Sequence, residues 1–235
     1  MRGFLLLILV LAGCGEKPPK DNYFPLQPGL EWHYDVTLER AGEIERSPFS
    51  IKIGGSYRDE ERYYETPLIL RRTSNGTDYF ILQDDAGTHR VAKRTLVETR
   101  PRFDPEPRQV LPAFRDLEVG RVWQVQSQPY LLHGVTAHAL PDPGQHRFML
   151  SYEIIETDAR VVVPAGEFVD CIRVEATGTL VLYADPRLGY QEVSVRQSEW
   201  YAPGVGLVKL ARQEPLDLAL FKGGSMVFEL QRFEY

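Results

Sequence analysis

Apolar and polar residues alternate along most of the chain. Trp32, Tyr34, Val36 and Leu38 share one face of a two-residue period, and Glu31, His33, Asp35, Thr37 and Glu39 share the other. That pattern is a strand with one buried face and one wet face. Similar runs lie at 49–53, 63–71, 78–82 and 89–96. A second group follows at 122–127, 147–156, 160–163 and 168–183, and a third at 190–201, 206–211 and 226–233. Turn residues separate them: Asn75-Gly76, Asp84-Asp85-Ala86-Gly87, Pro164-Ala165-Gly166 and Asp185-Pro186. Helical periodicity is poor, because 109–118 contains Pro112 and 215–222 holds two turns at most. The pattern predicts a mostly β protein with at most one or two short helices. Ten or so twisted strands curl or close, so the expected architecture is a large curled antiparallel sheet or a partly open barrel.

Leu26-x-x-Gly29-x-x-Trp32-x-Tyr34 returns as Leu117-x-x-Gly120-x-x-Trp123-x-Val125, offset by 91 positions. Gly suits a turn into a strand, and Trp is then the first large residue on its buried face. Duplication, with half-repeats at 23–100 and 113–212, and chance likeness of two strand starts both account for this. The Pro-rich stretch 100–112 stands where a link between halves belongs. Gly54-Gly55-Ser56 and Gly223-Gly224-Ser225 lack the Lys and the helix of a phosphate loop and read as turns.

The leader is the sharpest signal. Arg2 precedes an apolar run at 4–11, and Leu11-Ala12-Gly13-Cys14 closes it. The run is too short to span a bilayer, which takes about 20 apolar residues, so it reads as a secretion signal. Its ending resembles the lipobox of bacterial lipoproteins. The resemblance implies cleavage after residue 13 and acylation of the Cys14 sulfur, including palmitate. That divides the chain into a signal peptide 1–13, an acylated Cys14 with a tether to 22, and one β domain 23–235. The eight residues 15–22 are polar and Pro-containing, with a reach of about 26 Å. Gly15 follows the cysteine in place of the Asp that favours inner-membrane retention. By resemblance, that points to the periplasmic face of the outer membrane in a Gram-negative envelope.

Three further segments carry a wider likeness: Phe24-Pro25-Leu26 with the Gly29–Trp32 spacing, residues 163–168 (VPAGEF), and residues 200–209 (WYAPGVGLVK). They resemble uncharacterised bacterial envelope lipoproteins. The group is associated with antiparallel, partly open barrels similar to the lipoprotein carrier and its outer-membrane receptor. It implies a class and transfers no functional residue.

Composition narrows the functions. The chain has 235 residues, 43% of them hydrophobic, and a net charge of −6, which disfavours nucleic acid as a partner. Two cysteines exclude a disulfide scaffold. The sequence contains neither a G-x-S-x-G elbow nor HExxH nor a Walker loop. Cys171 has no His within 20 positions and reads as a packed strand thiol. His133, His138 and His146 lie on the long irregular segment 128–146, at spacings that fit no standard metal site. Asp59-Glu60-Glu61 between Arg58 and Arg62 reads as a solvated hairpin tip and not a calcium loop. The expectation is a lipid-anchored envelope protein without catalytic activity, cofactor or metal, binding an apolar or amphipathic ligand. The alternative is a structural or interaction subunit with a filled core, whose edges meet a protein partner.

Overall fold

The computed structural model describes residues 18–59, 64–134, 146–218 and 221–235. The first strand, β1 (Glu31–Arg40), is followed by β2 (Glu43–Tyr57), β3 (Leu68–Thr73), β4 (Asp78–Asp84), β5 (Gly87–Arg94) and β6 (Arg102–Pro112). Each pairs antiparallel with the next, so they form a six-stranded meander. A 3-10 turn at Phe114–Asp116 leads to β7 (Val122–Ser127) and the two-residue β8 (His133–Gly134). Then come β9 (Phe148–Val163), β10 (Gly166–Asp185), β11 (Gly189–Ala202), β12 (Gly206–Asp217) and β13 (Phe221–Glu234). β7 and β9 to β13 make a second six-stranded meander in the same way. β1 pairs with β13 along its whole length, and β8 extends that ladder at Phe221 and Lys222. The thirteen strands form one antiparallel sheet, a nearly closed barrel whose single unsealed seam lies between β6 and β7. Among the described residues there is no α-helix.

Each meander opens on the same turn. Leu30 N donates to Gln27 O (3.3 Å) and Arg121 N to Glu118 O (3.1 Å). Gly29 and Gly120 occupy the third position with φ of +97° and +87°, which makes both type II turns. Gly29 N then donates to Ile53 O and Gly120 N to Ile154 O, on the neighbouring strand. Trp32 and Trp123 follow, 3% and 7% exposed. Their indole N–H groups differ. Trp32 Nε1 donates to Val205 O at 2.7 Å, whereas Trp123 Nε1 has no partner and its ring stacks on Tyr152.

Two sequence expectations are corrected. The Pro-rich stretch 100–112 is largely β6, not a link. Prolines lack the N–H of a ladder and are confined to sheet edges. Pro105 and Pro107 fall where the β5–β6 register breaks, between the pairs Arg90–Arg108 and Ala92–Phe103, and β6 is the edge strand beside the seam. The two Gly-Gly-Ser segments also lie within strands. Gly54 and Gly55 sit where the β2–β3 register shifts, a bulge. Gly223 and Gly224 are flanked tightly on both sides. A Cβ on Gly223 would overlap the carbonyl oxygen of Glu214 on β12, and one on Gly224 that of Glu39 on β1.

Three apolar clusters hold the barrel. The largest fills its lower interior around Trp32, Tyr34, Ile53, Ile154, Ile172 and Leu230. A second fills the upper interior around Leu150, Leu180, Leu182, Val193 and Val195. The third, Leu68, Phe80, Val91 and Ala92, lies on the opposite face of β3 to β5 from Ile69 and Ile81. The chain before β1 closes the lower end. Gly204 N donates to Asn22 O, the Tyr23 hydroxyl to Asp170 O, and Gln83 Nε2 to Phe24 O. Of residues 15–22, expected as tether, 15–17 lie outside the described residues; Pro18 is buried and Asn22 is bonded to the barrel, while 19–21 are exposed.

Gly223→Ala should destabilise the protein by about 1–3 kcal/mol, the usual range for overpacking. Denaturant unfolding measures it, and an unchanged midpoint would refute the close approach of β12 and β13.

Candidate functional site

The inward face of β11 changes character along its length. Val193 and Val195 are apolar, then the same parity carries Gln197, Glu199 and Tyr201. Opposite Gln197 stands Arg212 of β12, followed two residues on by Glu214. All five are buried, and they form a polar band between the two interior apolar clusters. Arg212 and Glu214 are 1% and 0% exposed and pair through Nε and Oε1 at 2.7 Å. Arg212 Nη1 also donates to Gln197 Oε1, and its guanidinium lies 4.5 Å over the Tyr130 ring. The Glu214 carboxylate accepts the backbone N–H groups of Tyr130 and Leu131. This ion pair therefore satisfies the hydrogen bonding that burial of two charges requires, and it fastens the start of segment 128–146 to the barrel.

Glu199 accepts hydrogen bonds from Gln197 Nε2 and from the Tyr201 hydroxyl. Gln197 Nε2 also reaches the Tyr152 hydroxyl. Burial pushes the Glu199 carboxyl above its ordinary value, against the pull of those donors and of Arg212 and Arg71. Burial likewise raises the Tyr152 and Tyr201 phenols, with the Glu199 charge adding to both.

This band meets the seam. A cavity of about 140 Å³ lies there, lined by Arg90, Arg108, Gln109 and Val110 from β5 and β6, and by Val125, Tyr152, Glu199 and Tyr201 from the second meander. Arg90 and Arg108 are direct cross-strand neighbours. Arg90 forms a bidentate pair with Asp104, both contacts at 2.8 Å. Arg108 is half-buried and has no hydrogen-bond or ion-pair partner among the described residues. Lys93, also half-buried on β5, is held below its ordinary value, first by burial and then by Arg102 and Arg90. A second, wider cavity of about 490 Å³ opens at the lower end, walled by residues 19–24, the β4–β5 turn and the chain at 111–117.

The residues singled out in the sequence lie elsewhere. Cys14 falls outside the described residues, as do His138 and Glu60-Glu61. Cys171 is fully buried among apolar side chains, and burial pushes its thiol up to about 11, so it is an inert packed thiol. Register shifts on both sides of Cys171 let it and Ile172 both face inward, where strict alternation would separate them. His133 pairs with β13 through its backbone, and His146 lies just before β9. The described residues bring one metal-like group together that the sequence did not suggest: Glu31, His33 and Glu234 at the β1–β13 end. Lys52 and Arg232 already engage its two carboxylates, at 3.4 and 2.7 Å, which makes it an ion-pair cluster. The seam residues were missed, although Gln197 and Glu199 carried a signal. They are polar residues at the parity that Val193 and Val195 mark as buried.

No family model and no curated protein matches this chain. Among solved structures it is similar to a candidate lipoprotein from Parabacteroides distasonis, at 14% identity and a TM-score of 0.43, over 94% of this chain and all of that one. It is also similar to an exported protein with a YmcC-like fold from Bacteroides fragilis, at 15% identity and 0.39, over 93% of this chain and all of that one. A DUF1329 family protein from Desulfovibrio piger matches at 10% and 0.31, over 88% of this chain and 85% of that one. Likeness at this level carries nothing about ligand or role.

Arg212→Met should cost about 3–5 kcal/mol, because it leaves the Glu214 charge buried without its partner. A loss under 1 kcal/mol in equilibrium unfolding would refute the pair. The raised Glu199 group gives a second test. The folded state holds this proton to higher pH than the unfolded chain, so stability falls as pH rises above about 4.5, the ordinary value. Glu199→Gln should flatten that decline, and parallel stability curves for the two proteins above pH 4.5 would contradict it.

Proposed function

We propose that the chain is an envelope lipoprotein, anchored through Cys14, whose barrel holds an amphipathic ligand at its seam and performs no catalysis. One observation carries the ligand reading. A cavity lies where the sheet is not sealed, and it joins apolar walls to a guanidinium that no described residue pairs. A purely apolar ligand suits this chamber poorly, because Arg108, Glu199 and two phenols line it.

The anchor reading rests on the leader sequence. Asn22 bonds to Gly204 in the β11–β12 turn, so the described chain enters the barrel at its lower end. The lower end of the barrel, with its wider cavity, would then face the membrane. Placement at the outer membrane rests on Gly15 alone. The free edges of β6 and β7 support the interaction-subunit reading, in which they receive a protein strand.

Cys14→Ala should abolish lipid labelling and release the protein from the membrane fraction or stall the precursor. Labelling at the wild-type level would sink the anchor. An environment-sensitive fatty-acid probe should be taken up saturably by the barrel. Absence of uptake would leave the interaction-subunit reading standing.

A further inference from the structure

Resting on the ligand reading above, we propose that the seam cavity is an anion site. In it the Arg108 guanidinium takes the carboxylate or phosphate head of a single-chain amphiphile, whose chain leaves between β6 and β7 past Val110 and Val125.

The argument begins with charge inside the barrel. Arg90 and Arg108 stand directly opposite each other on β5 and β6. Like charges directly opposite in a sheet repel. Asp104 answers Arg90 with two hydrogen bonds, and no described residue answers Arg108. A half-buried guanidinium facing a cavity, beside a neutralised neighbour, lacks one negative charge. A planar guanidinium offers two parallel N–H donors, the geometry that carboxylates and phosphates accept. The one carboxylate in the wall, Glu199, is already occupied by Gln197 and Tyr201, and burial weakens its charge. It therefore neither pairs with Arg108 nor fully repels an incoming anion.

The rest of the cavity decides for an amphiphile over a free ion. About 140 Å³ holds a head group and little more, so a longer ligand must leave the cavity. The way out is the seam, where no ladder joins β6 to β7. Val110 and Val125 line the cavity from those two strands. A chain passing between them breaks no backbone hydrogen bond.

The test uses residues 15–235, which hold the entire sheet and the docked 18–24 segment, with folding checked by circular dichroism. A fluorescent undecanoic-acid probe is bound and then displaced by laurate, dodecyl phosphate or methyl laurate. The site predicts that an anionic competitor displaces the probe at concentrations roughly ten- to hundredfold lower than the neutral ester. The better of laurate and dodecyl phosphate identifies the head. Arg108→Gln should weaken the anionic competitor by the same factor and leave the ester unchanged, while Arg108→Lys keeps part of the preference. Without ligand, Arg108→Gln should fold with an equal or higher Tm, since it removes the repulsion with Arg90. Equal displacement by acid and ester, or an unchanged Arg108→Gln, overturns the anion site and leaves the ligand reading intact. No saturable uptake of the probe overturns both.

Discussion

The first and last strands of this chain pair with each other from Glu31 to Arg40, and that one ladder makes a barrel out of two meanders. Without it the molecule is two twisted six-stranded sheets joined by the chain at 113–121. With it, the inward faces of both meanders share one interior, and Trp32 and Tyr34 can reach the backbone carbonyls of Val205 in the β11–β12 turn and Leu207 on β12. The glycine pair at 223–224 serves the same junction. β13 lies between β1 and β12, and its backbone approaches both strands more closely than any Cβ would allow. The ladder spans the length of the chain, and contacts of this separation are slow to form, because loop closure precedes any gain.

The opposite junction is built not to close. β6 and β7 are consecutive in the chain and adjacent in space, yet no ladder joins them. The β6 edge borders the seam cavity of about 140 Å³. The open seam, the polar band of β11 and β12 and the unanswered Arg108 therefore meet at one point for a reason of topology. Closing the barrel on one side leaves its two free edges together on the other.

The buried charges follow from the same arrangement. Arg212 and Glu214 occupy positions that an apolar pair would fill, and buried ion pairs are weak as sources of stability. What this pair does visibly is to bind the backbone of Tyr130 and Leu131. The chain leaving β7 is thereby drawn across to β12, where β8 joins the β13 ladder.

Much of this was legible in the sequence. The two-residue period fixed strand identity for β1, β7, β11 and most others, because burial of one face leaves its mark on every second residue. The Leu-x-x-Gly-x-x-Trp spacing announced two strand starts, since a type II turn needs φ > 0 at its third position. Other features were decided only in three dimensions. Pro105 and Pro107 forbid a central strand but permit an edge, and no local pattern says which strand is an edge. Gly223-Gly224 has the composition of a turn, and only the crowding of β13 between β1 and β12 makes it part of a strand. Gln197 and Arg212 lie fifteen residues apart across a hairpin, and Arg108 lies on the other meander from Glu199. Their convergence depends on the β1–β13 ladder and the closure it imposes, and neither is written in any local run of residues.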